Sequence, residues 1–136
     1  MLNETQLQNF AARYTAAWNS GNSENVAAFF TLRGTLSVNG ALAEARPAIA
    51  LVAQSFMTAF PDLHLQMDKV AMQSESAVYH WTFAGTHAGP GGTGNKVCFS
   101  GQEIWKFAPD GLIAESQGQF DAADYRRQLA QSIEAP

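Results

Sequence analysis

The 136-residue chain has a formal net charge of −4, with 46% apolar and 15% charged residues. That length suits a single domain over residues 1–136, large enough to bury about two-thirds of its unfolded surface. Its eight Lys and Arg residues are scattered, only Arg126 and Arg127 being adjacent, which excludes a nucleic-acid groove.

The opening MLNETQLQNF has no basic n-region and no long apolar run, so neither a signal peptide nor a membrane span is expected. Asn3 and Gln6 have the spacing of a capping box. Leu7, Phe10, Ala11, Tyr14 and Trp18 then recur at helical spacing, and Gly21 is a stop signal. Ser23 is placed to cap a second, shorter helix with Val26, Phe29 and Phe30 on its inner face. Residues 35–39 read as a short strand ending in the Asn39-Gly40 turn. Pro47 suits the first turn of a third helix. Its stripe is Ile49, Val52, Ala53, Phe56, Met57 and Phe60, and Pro61 ends it.

From there the period is two. Leu63, Leu65 and Met67 alternate with His64, Gln66 and Asp68; then Val70 and Met72 take over, and the slip predicts a bulge near Lys69. Ser76–Thr86, Lys96–Phe107 and residues 112–120 read as strands, the last coming after the turn Pro109-Asp110-Gly111. Asp121 caps a short closing helix. Helices first and strands after read as α+β with a curved antiparallel sheet.

The segment FAGTHAGPGGTGNK (83–96) holds five glycines and raises the question of a phosphate-binding loop. Lys96 is succeeded by Val97 and Cys98, and the residues beyond them alternate as a strand. Without a helix N-terminus no dipole and no set of free N–H groups faces a phosphate. The segment is read as a long hairpin connection whose length lets it cover a pocket mouth.

The strand Lys96–Phe107 carries the most information. Val97, Phe99, Gly101, Glu103, Trp105 and Phe107 share its inward phase, so Glu103 sits among aromatic residues. A carboxylate there must be paired, protonated or wet. Burial raises its pKa and lets a neutral Glu donate a hydrogen bond. The structural alternatives are a twisted strand that brings Glu103 to water, or an ion pair with Arg13 or Arg33. Tyr14 lies on the inward stripe of the first helix, and its hydroxyl needs a partner; Glu103 is the candidate. His80 alternates with Tyr79 and Trp81 and points outward, His64 is solvated, and His87 belongs to the loop. Cys98, the sole cysteine, cannot form an internal disulfide and with three dispersed histidines makes no metal site. A reduced, cytoplasmic setting is the expectation.

Several segments together resemble the SnoaL-like branch of the nuclear transport factor two-like superfamily: AWNSGN (17–22), AFPDLH (59–64), WTFAGTHAG (81–89), FAPDGLIAE (107–115) and DAADYRRQL (121–129). They span nearly the whole chain in order. The resemblance implies a cystatin-like α+β cone, with a curved antiparallel sheet wrapped around N-terminal helices and an apolar pocket. It also implies a homodimer through the outer sheet face. The residues expected to line the pocket are Trp18, Asn39, Phe56, Phe60, Tyr79, Trp81, Phe99 and Trp105. A small apolar ligand is expected, with no cofactor, metal, nucleic acid or membrane.

Three activity patterns of the superfamily compare differently. The polyketide cyclase pattern looks for an aspartate in the last strand, a place that falls at about Gly118. The ketosteroid isomerase pattern is matched at Tyr14 and Glu103, its oxyanion donors, but its general base falls at Val38-Asn39, and an amide cannot take a proton. The epoxide hydrolase pattern, an inward Asp-Arg-Asp set, has no counterpart. The resemblance thus implies an isomerase or cyclase acting on an apolar carbonyl or phenolic compound. Tyr14 and Glu103 would be its hydrogen-bond donors, with His87, Asn39 through a water, or Asp121 as the base. The alternative is a non-catalytic ligand-binding or homodimeric interaction domain.

Overall fold

The computed structural model describes residues 2–131. In chain order the elements are α1 (Glu4–Asn19), α2 (Ser23–Ala27), β1 (Phe30–Val38), β2 (Ala41–Glu44), α3 (Ala45–Ala59), β3 (His64–Gln73), β4 (Ser76–Thr86), β5 (Lys96–Phe107), β6 (Ile113–Phe120) and α4 (Ala122–Ala130). The strands form one curved, unclosed sheet in the order β2-β1-β6-β5-β4-β3. Neighbours run antiparallel except β1 and β6, which are parallel.

Local chemistry accounts for most boundaries. The Asn3–Gln6 capping box is formed in both directions. Asn22, not Ser23, caps α2: its side chain accepts from the Glu24 N–H, and Ser23 is the first helical residue. Asp121 caps α4 by accepting from the Asp124 N–H. The phase slip in β3 is a register shift between Met67 and Lys69.

Two parts of the sheet depart from the sequence expectation. β1 begins at Phe30 rather than at residue 35, and β2 has no counterpart among the expected strands. The first half of β1, Phe30 to Gly34, has no period of two, and its pairing with β6 shifts register between Phe30 and Thr35. Tertiary pairing overrides weak local preference there. β2 is four residues at the sheet edge, mostly exposed, a length that carries little periodic signal.

The helices are pinned to the sheet by polar side chains on backbone groups. Asn19 accepts from the Leu65 N–H at 2.7 Å and donates to the Leu65 carbonyl at 2.8 Å, tying α1 to β3. Arg46 at the start of α3 donates to the Phe30 carbonyl. Asp62 accepts from both the backbone N–H and the hydroxyl of Thr86, fixing the end of β4. On α4, buried Gln128 accepts from the Cys98 N–H of β5.

The glycine-rich segment connects antiparallel β4 and β5, whose ends pair Thr86 with Lys96. It docks on the C-terminus of α3: the Gly89 N–H donates to the Ala59 carbonyl, and a Cβ on Gly89 would stand 2.1 Å from the Thr58 oxygen. The close approach of two backbones, not a ligand, is what requires glycine there.

Candidate functional site

Glu103 is held inside the sheet by strand geometry. Val97, Phe99, Glu103 and Trp105 all face the core from β5, and Glu103 is only 7% exposed. Neither structural alternative obtains. The carboxyl is out of water, and it has no arginine partner, because Arg13 lies over the Phe10 and Phe29 rings and Arg33 is exposed.

Three hydroxyl or indole donors surround it instead. Tyr14 reaches from α1, its hydroxyl 2.9 Å from Oε1 and 3.0 Å from Oε2. Trp105, two residues along the same face of β5, donates its indole N–H to Oε1 at 3.0 Å. Ser116 of β6 donates to Oε1 at 2.7 Å. Oε1 therefore receives three donors, while Oε2 shares only the Tyr14 hydroxyl. Burial raises the Glu103 pKa, and the Trp105, Ser116 and Tyr14 hydrogen bonds pull it back without cancelling the rise. Burial, then the nearby Glu103 charge, hold the Tyr14 phenol well above its usual value, the adjacent Trp18 N–H working the other way. Tyr14 thus stays a donor.

Beside this carboxyl is a cavity of about 50 Å³. α1 contributes Trp18 to its wall, and α3 contributes Val52 and Phe56. The sheet contributes Leu36, Val38, Leu65, Trp81, Phe83, Phe99, Glu103, Gly118 and Phe120. Glu103 is the one titratable side chain in that wall.

Of the residues expected to line the pocket, Trp18, Phe56, Trp81 and Phe99 do so. Four do not. Tyr79 and Trp105 are fully buried beneath α1: Tyr79 bonds to Thr15, and Trp105 meets the Tyr14 ring at 5.1 Å. Phe60 packs at the other end, against Phe83, His87 and Tyr125. Asn39 is exposed in its turn, where its side chain accepts from the Phe120 N–H. Tyr14 touches the cavity only through Glu103.

The three expected bases are also elsewhere. His87 accepts from the Thr93 N–H in the loop, Asp121 caps α4, and Asn39 holds β6. No residue of 87–95, the loop between β4 and β5, reaches the cavity wall, so the loop is not its cover. Among the described residues no group of three His, Cys, Asp or Glu side chains could hold a metal ion.

The profile of the SnoaL-like polyketide cyclases matches residues 8–129. The chain belongs to the SnoaL-like polyketide cyclase family. Solved structures agree on the fold. TsrD from Streptomyces laurentii is 22% identical, with a TM-score of 0.82 over 95% of this chain and 98% of that one. A ketosteroid isomerase-like protein from Catenulispora acidiphila, in complex with trimethylamine, is 15% identical, with a TM-score of 0.78 over 93% and 96%. SalBIII, an epoxide hydrolase/cyclase-like enzyme of pyran ring formation in salinomycin, is 19% identical, with a TM-score of 0.76 over 91% and 97%. No curated protein matches the sequence. As a SnoaL-like chain it is a small-molecule pocket protein, and the cavity beside Glu103 is the pocket its side chains form.

Two features of this SnoaL-like site escape a reading of the sequence. Ser116 is one. It faces Glu103 because β5 and β6 pair Glu103 with Gly118 and Trp105 with Ser116, a register set beyond irregular pairing at Lys106/Phe107. The other is the part played by glycines. A Cβ on Gly118 would meet the Ser37 carbonyl oxygen at 3.1 Å and stand in ordinary contact, 3.7 Å, with the Glu103 Cγ, so the last strand lies close against the carboxyl of its neighbour. A Cβ on Gly101 would lie 2.5 Å from the Trp81 ring, which rests on that glycine as it lines the cavity. Gly101→Ala is therefore expected to cost about 1–3 kcal/mol through overpacking and to displace Trp81. A lowered unfolding midpoint with altered near-ultraviolet dichroism checks it.

Proposed function

We propose that this protein is an enzyme of isomerase or cyclase type, in which Glu103 moves a proton on a small, largely apolar carbonyl or phenolic compound. The observation that carries this reading is a single buried carboxyl, raised in pKa, in the wall of an otherwise apolar cavity. A carboxyl whose pKa is raised holds a proton more firmly and is a stronger base once ionised, so it can both take and return one. Oε1 is fixed by three donors, which leaves Oε2 as the oxygen that exchanges the proton. Tyr14, Trp105 and Ser116 are positioning residues acting through it.

This reading alters the roles implied by resemblance. Glu103 supplies the base as well as the acid, so no separate base is needed. The register supports it: Glu103 lies beside Gly118, the place where the cyclase pattern looks for its aspartate. The cavity size limits what enters. One water needs roughly 10–15 Å³ by a comparable measure, so about 50 Å³ admits one ring or a short carbonyl-bearing end.

The setting is a reduced cytoplasm, in keeping with one exposed free cysteine, Cys98. Among the described residues no helix is long and apolar enough to cross a membrane. A second copy of the chain would pair across the outer sheet face, where Val78, His80 and Ile104 are half-buried in the single chain.

Acetophenone in deuterated buffer tests the chemistry. The wild type is expected to speed exchange of its methyl protons by at least 10²-fold, the usual scale of general-base catalysis, and Glu103→Gln to abolish that gain. Binding without exchange in the wild type would instead indicate a non-catalytic ligand-binding domain.

A further inference from the structure

Glu103 is not the only polar group in the cavity wall. Trp18 lines it too, is 8% exposed, and carries the one buried side-chain N or O atom among the described residues without a hydrogen-bond partner, its indole Nε1. A buried indole N–H normally finds an acceptor, in protein or in something bound. The adjacent Tyr14 phenol lies near enough to the Trp18 N–H for the indole to lower its pKa, but its hydroxyl is turned to Glu103 and no hydrogen bond of normal geometry joins the two side chains. The other residues of the cavity wall apart from Glu103 are apolar or glycine, save for the indole N–H of Trp81, which is not among the buried unpartnered atoms. The N–H is donor-only, so whatever satisfies it must present a lone pair.

We propose that the Trp18 indole N–H is a ligand-binding donor that selects compounds bearing an acceptor oxygen, a carbonyl above all, next to an apolar ring. The inference rests on the cavity being the ligand site, and it deepens the proposed proton-transfer function. A carbonyl held by Trp18 is polarised, and its neighbouring C–H becomes the more acidic bond that Glu103 would act on. Trp18 supplies recognition, and Glu103 supplies the proton transfer.

The test uses two probes of nearly the same shape, acetophenone and α-methylstyrene, which differ by C=O against C=CH2. With the indole nitrogens labelled with ¹⁵N, acetophenone is expected to shift the Trp18 N–H resonance downfield, whereas α-methylstyrene leaves it nearly in place. The wild type should bind the ketone about three- to tenfold tighter than the alkene, the scale of one neutral hydrogen bond. In Trp18→Phe that preference should collapse toward one, the ketone losing more affinity than the alkene by about that same three- to tenfold factor.

Equal losses for both probes would make Trp18 a packing residue and overturn the proposal. So would an unmoved indole resonance, an unchanged preference, or no binding of either probe. Failure of the proton-transfer reading looks different: the ketone preference and the indole shift persist, and methyl exchange is absent.

Discussion

Glu103→Gln is expected to raise the unfolding midpoint increasingly as pH climbs above the ordinary glutamate pKa and to leave it nearly unchanged below that value. The folded-state pKa of Glu103 lies above the ordinary glutamate value of 4.5, with burial as the first cause. A group whose pKa rises on folding contributes stability that is complete below the unfolded value and is lost as pH climbs through the folded one. The loss is about 1.4 kcal/mol for each unit by which the pKa is raised. Glutamine keeps an oxygen to receive Tyr14, Trp105 and Ser116 but carries no charge to desolvate, so the variant skips that loss. At this chain length 1 kcal/mol moves the midpoint by roughly 3–5 °C. Melting curves of both proteins from pH 4 to pH 9 measure the effect. Parallel curves would mean that the carboxyl is not strained by its surroundings, and the same curves locate the pH at which it ionises.

Trp105→Ala is the second large effect, at about 3–5 kcal/mol of stability. The indole is fully buried, stacks on Tyr79 with ring centroids 4.8 Å apart, and meets Phe10 and Tyr14 edge-on. Alanine leaves a void under α1 and strips a donor from Glu103. Trp105→Phe separates the two contributions. Much of the packing survives, the cost falls to about 1–2 kcal/mol, and the lost N–H pushes the Glu103 pKa higher still. The acid limb of any Glu103-dependent activity then moves to higher pH in Trp105→Phe. If that limb stays put while stability drops, Trp105 is structural alone. Denaturant titration and a pH–rate profile on the two variants read these outcomes.

The segments that make the family recognisable are mostly backbone-satisfying devices. In AWNSGN, Asn19 pins Leu65 and Asn22 caps α2. In AFPDLH, Asp62 holds the end of β4. In FAPDGLIAE, Asp110 accepts from the Leu112 N–H, and in DAADYRRQL Asp121 caps α4. Such residues act over two to five positions or hold one fixed junction, so their spacing is visible in one dimension. β4 and β5 are legible to the residue because a strict period of two runs between clear turns. Glu103 stands out as a charge on an apolar phase, and Tyr14 as a phenol on an apolar stripe. Their contact, 89 residues apart in sequence, is a matter of topology.

The rest depends on where helices sit on the sheet. Tyr79, Trp81, Phe99 and Trp105 all point inward, and the sequence treats them alike. α1 covers Tyr79 and Trp105, while Trp81 and Phe99 face the gap toward Phe56 of α3. Which inward residues line a cavity is decided by that placement, not by periodicity. Ser116 is obscured by the irregular pairing before it, and the unpartnered state of the Trp18 N–H is a property of its three-dimensional surroundings alone.

All three tryptophans of the chain border the same small volume: Trp18 and Trp81 in the cavity wall, Trp105 hydrogen-bonded to the carboxyl. The intrinsic emission of the protein is therefore dominated by one locality. Ionisation of Glu103 alters the quenching of Trp105, and anything entering the cavity changes the polarity around the other two. The molecule carries its own fluorescent reporter, so libraries of unlabelled compounds can be screened against it, and occupancy and protonation can be tracked in a single cuvette.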